Sequence, residues 1–342
     1  MRWWLRVALV ALAWGGVVPA TQGVPGAPGT PWVAGFKVVG YLPYWRGSVD
    51  AVRLDRLTHV IYAFAFPSNS GDGTLLPLAD AARLGQLVSA GHASGVKVLI
   101  SIAGNGGDGG FEALAASPAS VQTFVNSVLA LCDQYQLDGV DIDWEYPDPG
   151  ASSANYAALL HALSGPLHAQ GRLLTAAVMP RGYYANAVPA AVFADVDFLN
   201  LMVYNNTWTN HSDYAFAVQA LDYWQGRGLA AEKTVLGMPF YSYVAAGTTV
   251  AYAELAAVDP LAACRDSTSY NGTQVAHNGF PTLRAKTSLA LERAGGVMVW
   301  HLGHDTSGPT SLLGAIHGQI SGDWSEVLPC FYAYAPLISS GQ

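Results

Sequence analysis

Asp138-Gly139-Val140-Asp141-Ile142-Asp143-Trp144-Glu145-Tyr146-Pro147 places four acids in ten residues. In an extended strand, side chains two positions apart share a face. Asp141, Asp143 and Glu145 therefore point one way, and Val140, Ile142 and Trp144 the other. One face is built to pack under helices, and the opposite face carries acids into an enclosed interior. Burial and mutual repulsion both oppose ionisation, so at least one carboxyl is expected to hold its proton near neutral pH. A proton held at the C-terminal end of a barrel strand suits a general acid that protonates a leaving group. The competing reading is that these acids pair with a base or hold a cation. Arg181 is the main base candidate, and Trp144 and Tyr146 are a poor setting for a hard cation.

Working outward, seven further runs resemble this strand. They are Lys37–Leu42, Leu57–Phe66, Val96–Ile102, Leu173–Val178, Phe198–Tyr204, Thr234–Phe240 and Gly296–His301. Each is short, nearly continuously apolar and rich in β-branched residues, as strands buried on both faces of a parallel sheet should be. Helical spacing fills the gaps. Ser117-Pro118 reads as a cap followed by proline in the first turn, ahead of Val121, Phe124, Val125, Val128, Leu131 and Tyr135. Tyr156, Leu159, Leu160, Leu163 and Leu167 mark a second helix ending near Gly171. A third runs from about Asp213 to Gly228. Eight strands with intervening helices predict an α/β fold, a (β/α)8 TIM barrel in a single domain. The alternative, an open doubly wound sheet, calls for a glycine-rich phosphate loop after the first strand, and Gly40-Tyr41-Leu42-Pro43 is not one. Residues 242–295 exceed what one helix and two loops need, which predicts an excursion before the last strand.

The 342 residues are 51% hydrophobic and only 12% charged, a composition for a large buried core and against disorder. The net charge is −8 and no basic cluster offsets it, so nucleic acid is not an expected partner. Residues 1–20 combine Arg2 and Arg6, an apolar run from Val7 to Val18 and the small-residue site Val18-Pro19-Ala20. This reads as a secretory signal peptide, too short for a bilayer span. No later run looks transmembrane, and no membrane partner is expected. Residues 21–35 read as a flexible leader, 36–322 as the barrel and 323–342 as a tail docked on it. Of three cysteines, Cys132 falls on a helix pattern as a small hydrophobe. Cys264 and Cys330 are left as either a pair or two thiols. No metal-site spacing is present.

The acidic segment resembles the DxxDxDxE signature of glycoside hydrolase family 18, the chitinase family, at Asp138, Asp141, Asp143 and Glu145. Other strands agree in order. Gly40-Tyr41 resembles the first strand of that family, and residues 58–64 (THVIYAF) the second. Ser101-Ile102-Ala103-Gly104 resembles its SxGG motif, with Ala103 in place of a glycine. Met202-Val203-Tyr204-Asn205 resembles its MxYD motif, with Asn205 in place of aspartate. Residues 237–241 and 295–300 resemble the seventh and eighth strands.

The resemblance implies a secreted chitinase-like hydrolase cutting β-1,4-linked N-acetylglucosamine, acting as a monomer on chitin or chitooligosaccharides. It implies no metal and no organic cofactor. Glu145 would be general acid and base, Asp143 would orient the acetamido group of the substrate, and Asp141 would share a proton with Asp143. Tyr204 would hydrogen-bond the acetamido group. Trp300 would form the floor under the sugar, with Tyr41, Phe64, Met202, Asn205 and Tyr146 as further substrate contacts. Two other readings stay open: an endo-β-N-acetylglucosaminidase on glycans, and a non-catalytic chitin-binding lectin. Trp45, Arg181, Trp208 and Tyr243 are each either sugar contacts or loop packing. His301-Leu302-Gly303-His304-Asp305 is read as cleft-lining loop ahead of a metal site. Asn205, Asn210 and Asn271 open glycosylation patterns.

Overall fold

The computed structural model describes residues 33–104, 110–207, 210–245, 248–328 and 330. The signal peptide, most of the leader, Trp208 and residues 331–342 of the tail lie outside the described residues.

Eight parallel strands close into a barrel in the order β1-β12-β7-β6-β5-β4-β3-β2. They are β1 (Lys37–Pro43), β2 (His59–Ala65), β3 (Lys97–Ala103), β4 (Gly139–Asp143), β5 (Leu173–Val178), β6 (Phe198–Leu201), β7 (Thr234–Pro239) and β12 (Gly296–Trp300). The helices are α1 (Ala81–Ala93), α2 (Phe111–Ala115), α3 (Pro118–Tyr135), α4 (Ala151–His168), α5 (Tyr183–Asn186), α6 (Val192–Asp195), α7 (Tyr214–Gly226), α8 (Tyr252–Val258), α9 (Phe280–Arg293) and α10 (Leu312–Ser321). The predicted barrel is thus the observed one, and each predicted strand overlaps an observed strand. Five strands end earlier than predicted: β2, β7 and β12 by one residue each, and also β4 and β6, expected over Leu137–Trp144 and Phe198–Tyr204. β4 stops at Asp143 and β6 at Leu201, so Glu145, Met202 and Tyr204 stand on the loops just beyond them. Parallel pairing of β4 to β3 runs out at Ala103↔Asp143, and without a partner strand the ladder cannot continue.

Side-chain parity sorts the core into two layers. Val140, Ile142 and Trp144 pack outward with Leu159 and Leu163 of α4. Trp144 stacks on Phe111 of α2 at 5.0 Å between ring centroids. Val39, Tyr41, Ile61, Leu99, Val235 and Met298 fill the inside. Helix starts follow the local rules. Ser117 accepts from the Ser120 N–H with Pro118 behind it, and Asp213 accepts from the Phe216 N–H at the start of α7. Cys132 is wholly buried on α3.

A repeated device closes the N-terminal end of the barrel. The residue entering one strand accepts an N–H from the strand before it. Thr58 Oγ1 takes Val38 N–H at 2.8 Å, Asp138 Oδ2 takes Val98 N–H at 2.7 Å, and Asp197 Oδ2 takes Leu174 N–H at 2.8 Å. Asp138, the first acid of the signature, also meets His92 Nε2 at 2.9 Å. It is a clamp at the end of the barrel opposite Glu145.

The excursion before the last strand is a small subdomain. It contains the hairpin β8 (Tyr241–Ala245) with β9 (Thr248–Ala251), helix α8, and the hairpin β10 (Ser267–Tyr270) with β11 (Thr273–Ala276). Cys264 within it is disulfide-bonded to Cys330, which ties residue 330 of the tail to the excursion. Trp324 packs over Arg284 of α9 at 4.5 Å.

Candidate active site

A cleft of about 280 Å³ opens at the C-terminal rim of the barrel, lined by Trp45, Phe64, Asp143, Glu145, Tyr146, Met179, Met202, Tyr204, Asn205, Tyr241 and Trp300. Its residues come from the ends of seven strands and the loops after them, so barrel closure assembles it. Its only lining carboxyls among the described residues are Asp143 and Glu145, both from the end of β4.

Asp141 lies one step deeper and is wholly buried. Four donors surround it. Tyr41 Oη at 2.8 Å and Ser101 Oγ at 2.9 Å donate to Oδ2; Thr175 Oγ1 at 2.6 Å and Asn200 Nδ2 at 3.2 Å donate to Oδ1. Burial raises its carboxyl above the usual range, and these hydrogen bonds oppose that rise. With both oxygens accepting, Asp141 is arranged as the ionised partner.

Asp143 has the opposite surroundings. It is almost wholly buried, and its Oδ1 has no hydrogen-bond partner. Burial holds its carboxyl well above the usual range, reinforced by the charge of Glu145 and then that of Asp141. The proton expected from strand parity therefore has a place between Asp141 and Glu145. Glu145 is partly exposed at the cleft.

The wall facing these acids is aromatic. Phe64 and Trp300 stack at 5.8 Å with 25° between ring planes. Trp45 continues the surface, 5.9 Å from Phe64 and 52% exposed. Tyr146 stacks on Tyr184 at 4.8 Å. Apolar ring faces beside acids and hydroxyls suit a sugar, which has one apolar face and polar edges. Burial raises the Tyr204 hydroxyl well above its ordinary value, with Tyr241, Asp143 and Glu145 adding to the effect, so it remains a donor at any working pH.

Asn205 has φ of +59°, a left-handed conformation that asparagine tolerates better than most residues. Its Oδ1 accepts from Tyr241 Oη at 2.8 Å, and its N–H reaches His211 Nδ1 at 3.2 Å. His211 Nε2 then faces the Tyr241 carbonyl at 3.1 Å. Those two partners fix the neutral tautomer with the proton on Nε2, and burial pushes the ring down to about 3. Ala103 adopts φ of +78°, where a β-carbon is strained, and the adjoining Gly104 N–H donates to the Asp143 carbonyl at 2.7 Å. A β-carbon on Gly104 would meet the Phe64 ring at 2.5 Å. The strain at Ala103 therefore lies directly beside Asp143.

Of the substrate contacts expected from the sequence, Trp300, Met202, Asn205, Phe64 and Tyr146 line the cleft and Tyr41 does not. It is buried beneath the cleft, edge-on to Trp300 at 5.4 Å, with its hydroxyl spent on Asp141. Its inward parity places it on the barrel axis, one layer below the residues that line the cleft. Arg181 pairs with none of these acids; its guanidinium lies over Phe216 at 5.4 Å. Tyr243 stacks at 6.2 Å on His211, behind the wall. His301 and His304 lie ring against ring at 3.6 Å, and Asp305 accepts from the Leu312 and Leu313 N–H groups at the start of α10. Among the described residues, no group of three or more His, Cys, Asp or Glu is placed to hold a metal ion. Sequence reading missed Ser101, Thr175 and Asn200 as donors to Asp141. The available signal was an internal polar residue in each of three strands that are apolar apart from Lys97 at the start of β3. It also passed over Met179 and gave Tyr241 no role.

The family model for glycosyl hydrolases family 18 matches residues 37–305. A class V chitinase of Arabidopsis thaliana is 31% identical over 172 residues, covering 43% of this chain and 45% of that protein. Endochitinase 1 of Metarhizium robertsii is 27% identical over 293 residues, covering 66% of each. The chain thus spans about half to two thirds of the length of these curated relatives. The crystal structure of a family 18 chitinase, ChiB of Flavobacterium johnsoniae, superposes with a TM-score of 0.74 at 26% identity, covering 84% of this chain and 94% of that one.

Proposed function

Because the chain belongs to glycosyl hydrolases family 18, we propose that it cleaves β-1,4-linked N-acetylglucosamine polymers with retention, using the substrate's own acetamido group as nucleophile. One observation carries this reading. The two carboxyls of the cleft leave the same strand end, and none stands across from them among the described lining residues. A mechanism with two protein carboxylates needs one on each side of the glycosidic bond. This arrangement supports the substrate's acetamido oxygen as the nucleophile.

Glu145 gives its proton to the glycosidic oxygen as the C1–O bond breaks. The acetamido oxygen bonds to C1 and forms an oxazolinium ion. Asp143, its proton passed to Asp141, accepts from the acetamido N–H and offsets the positive charge, while the Tyr204 hydroxyl donates to the acetamido oxygen. Water then attacks C1, passes a proton to the Glu145 carboxylate and restores the acetamide. Trp300, stacked on Phe64, supports the apolar face of the sugar before the bond that breaks. Residues 1–20 are read as the signal that exports the enzyme, and a Cys264–Cys330 disulfide fits an oxidising compartment. No helix among the described residues is long and apolar enough to cross a membrane.

The test follows the first product anomer by NMR, with chitohexaose and a high-mannose N-glycan as substrates. The β-anomer released from chitohexaose is expected. Early α-anomer excludes the substrate nucleophile. Release from the N-glycan alone indicates an endo-β-N-acetylglucosaminidase, and tight binding without release indicates a lectin.

Asn205 gives a second measurable consequence. Asn205→Asp adds a carboxylate to a cleft holding two others, and like charge makes each of them harder to ionise. The alkaline limb of the kcat/KM profile is expected to move up by about half a unit to one unit, with activity retained. Superimposable profiles would show that residue 205 is electrically remote from the acids.

A further inference from the structure

Lys286 on α9 is wholly buried, and the proposed mechanism has no use for it. A lysine deep in a core ordinarily has a carboxylate partner, because desolvating the ammonium is costly. This one donates instead to three neutral acceptors. They are the Ser212 carbonyl at 2.9 Å, Ser212 Oγ at 2.6 Å and Asn278 Oδ1 at 3.0 Å. Three acceptors match the three donors of an ammonium. Burial nevertheless pushes the group down to about 7, against the attraction of Asp213 and Asp266. Asn278 Nδ2 also donates to the Ser212 carbonyl, at 2.9 Å.

Of the two Ser212 atoms held by Lys286, Oγ leads to the cleft. Ser212 Oγ donates to the Val203 carbonyl, the backbone group just before Tyr204. The neighbouring His211 receives the Asn205 N–H, just after Tyr204, and meets the Tyr241 carbonyl. Tyr204 is therefore pinned on both sides by Ser212 and His211, and Ser212 is pinned by Lys286 from outside the barrel. Past the end of β6 the strand ladder stops, and this stretch is held by these side-chain hydrogen bonds together with a few backbone ones, such as Met202 N–H to the Val178 carbonyl and Asn206 N–H to the His211 carbonyl.

We infer that Lys286 is a positioning residue for the reaction: through Ser212 it fixes the loop that carries Tyr204 and Asn205 against the cleft. The inference rests on the proposed reading of Tyr204 as the donor to the acetamido group.

The experiment is a double-mutant cycle on the full chain with chitohexaose. Ser212→Ala and Lys286→Met are each made in the wild-type and the Tyr204→Phe backgrounds. Each is expected to lower kcat about tenfold or more in the first background, with KM changed less than threefold. In the Tyr204→Phe background each is expected to change kcat less than twofold, since the hydroxyl being positioned is already gone. Equal losses in both backgrounds, or no loss in either, would overturn the inference. Ser212→Ala keeps the test decisive if Lys286→Met does not fold. If the wild type binds chitohexaose without cutting it, the hydrolase reading fails separately. The same cycle is then scored on Kd, with the same non-additivity expected and additivity overturning the inference.

Discussion

Glu145→Gln is expected to lower kcat on chitohexaose by about 10³-fold while leaving its Kd within a few-fold of wild type. Positioned proton transfer contributes about 10²–10⁴-fold, and the amide keeps the shape of the side chain without a transferable proton. The aromatic surface from Trp45 through Phe64 to Trp300 is untouched, and on the proposed reading it supplies much of the binding. A second substrate sharpens the result. With a 4-nitrophenyl leaving group the first step needs little protonation, so the first-step loss should shrink to about tenfold or less. Equal, small losses on both substrates would remove Glu145 from proton transfer. Loss of binding in step with kcat would make it a substrate contact only.

Asp143→Asn is expected to lower kcat by about 10²-fold and, at neutral pH, to stabilise the protein. The activity loss follows from removing the charge that faces the oxazolinium ion, since one preorganised electrostatic group is worth about 10²–10³ in rate. The stability gain follows from the raised carboxyl of Asp143, caused first by burial, then by Glu145 and Asp141. In the unfolded chain this carboxyl titrates near 4. Between that value and the raised folded value, the folded chain binds more protons, so stability falls as pH rises. Asparagine has no proton to lose and escapes that penalty. The melting temperature at pH 7 is expected to rise by about 3 °C or more, and the difference should vanish near pH 3, where both forms of the wild type are protonated. A gain that is the same at both pH values would place its origin in packing, not in the buried charge.

These two acids show how much was legible in the chain itself. Parity on β4 depends only on strand geometry, so the inward acids and outward Trp144 could be read without a fold. Ser117-Pro118 caps its helix as its sequence predicts, and Asp213, expected only as the approximate start of a helix, caps one for an equally local reason. Met202 and Tyr204 were drawn as strand because their apolar pattern continues past Leu201. Pairing with a neighbour, which pattern does not report, ends β6 there. Tyr41 was misplaced by one layer, since parity gives the face of a residue but not its depth along the barrel axis. Lys286 was invisible as a partner of the site because its acceptors lie 74 and 8 residues away in the chain.

The acidic signature therefore carried within ten residues the strand, the direction of each side chain and the identity of the acids. Those follow from backbone stereochemistry, a property of neighbours in sequence. The different surroundings of the acids were decided only by tertiary structure. Asp141 is surrounded by donors from β1, β3, β5 and β6, and Asp143 has an oxygen with none. Those donors meet only when the barrel closes, and a carboxyl's charge depends on what lies within a few ångströms of it in space, not in sequence.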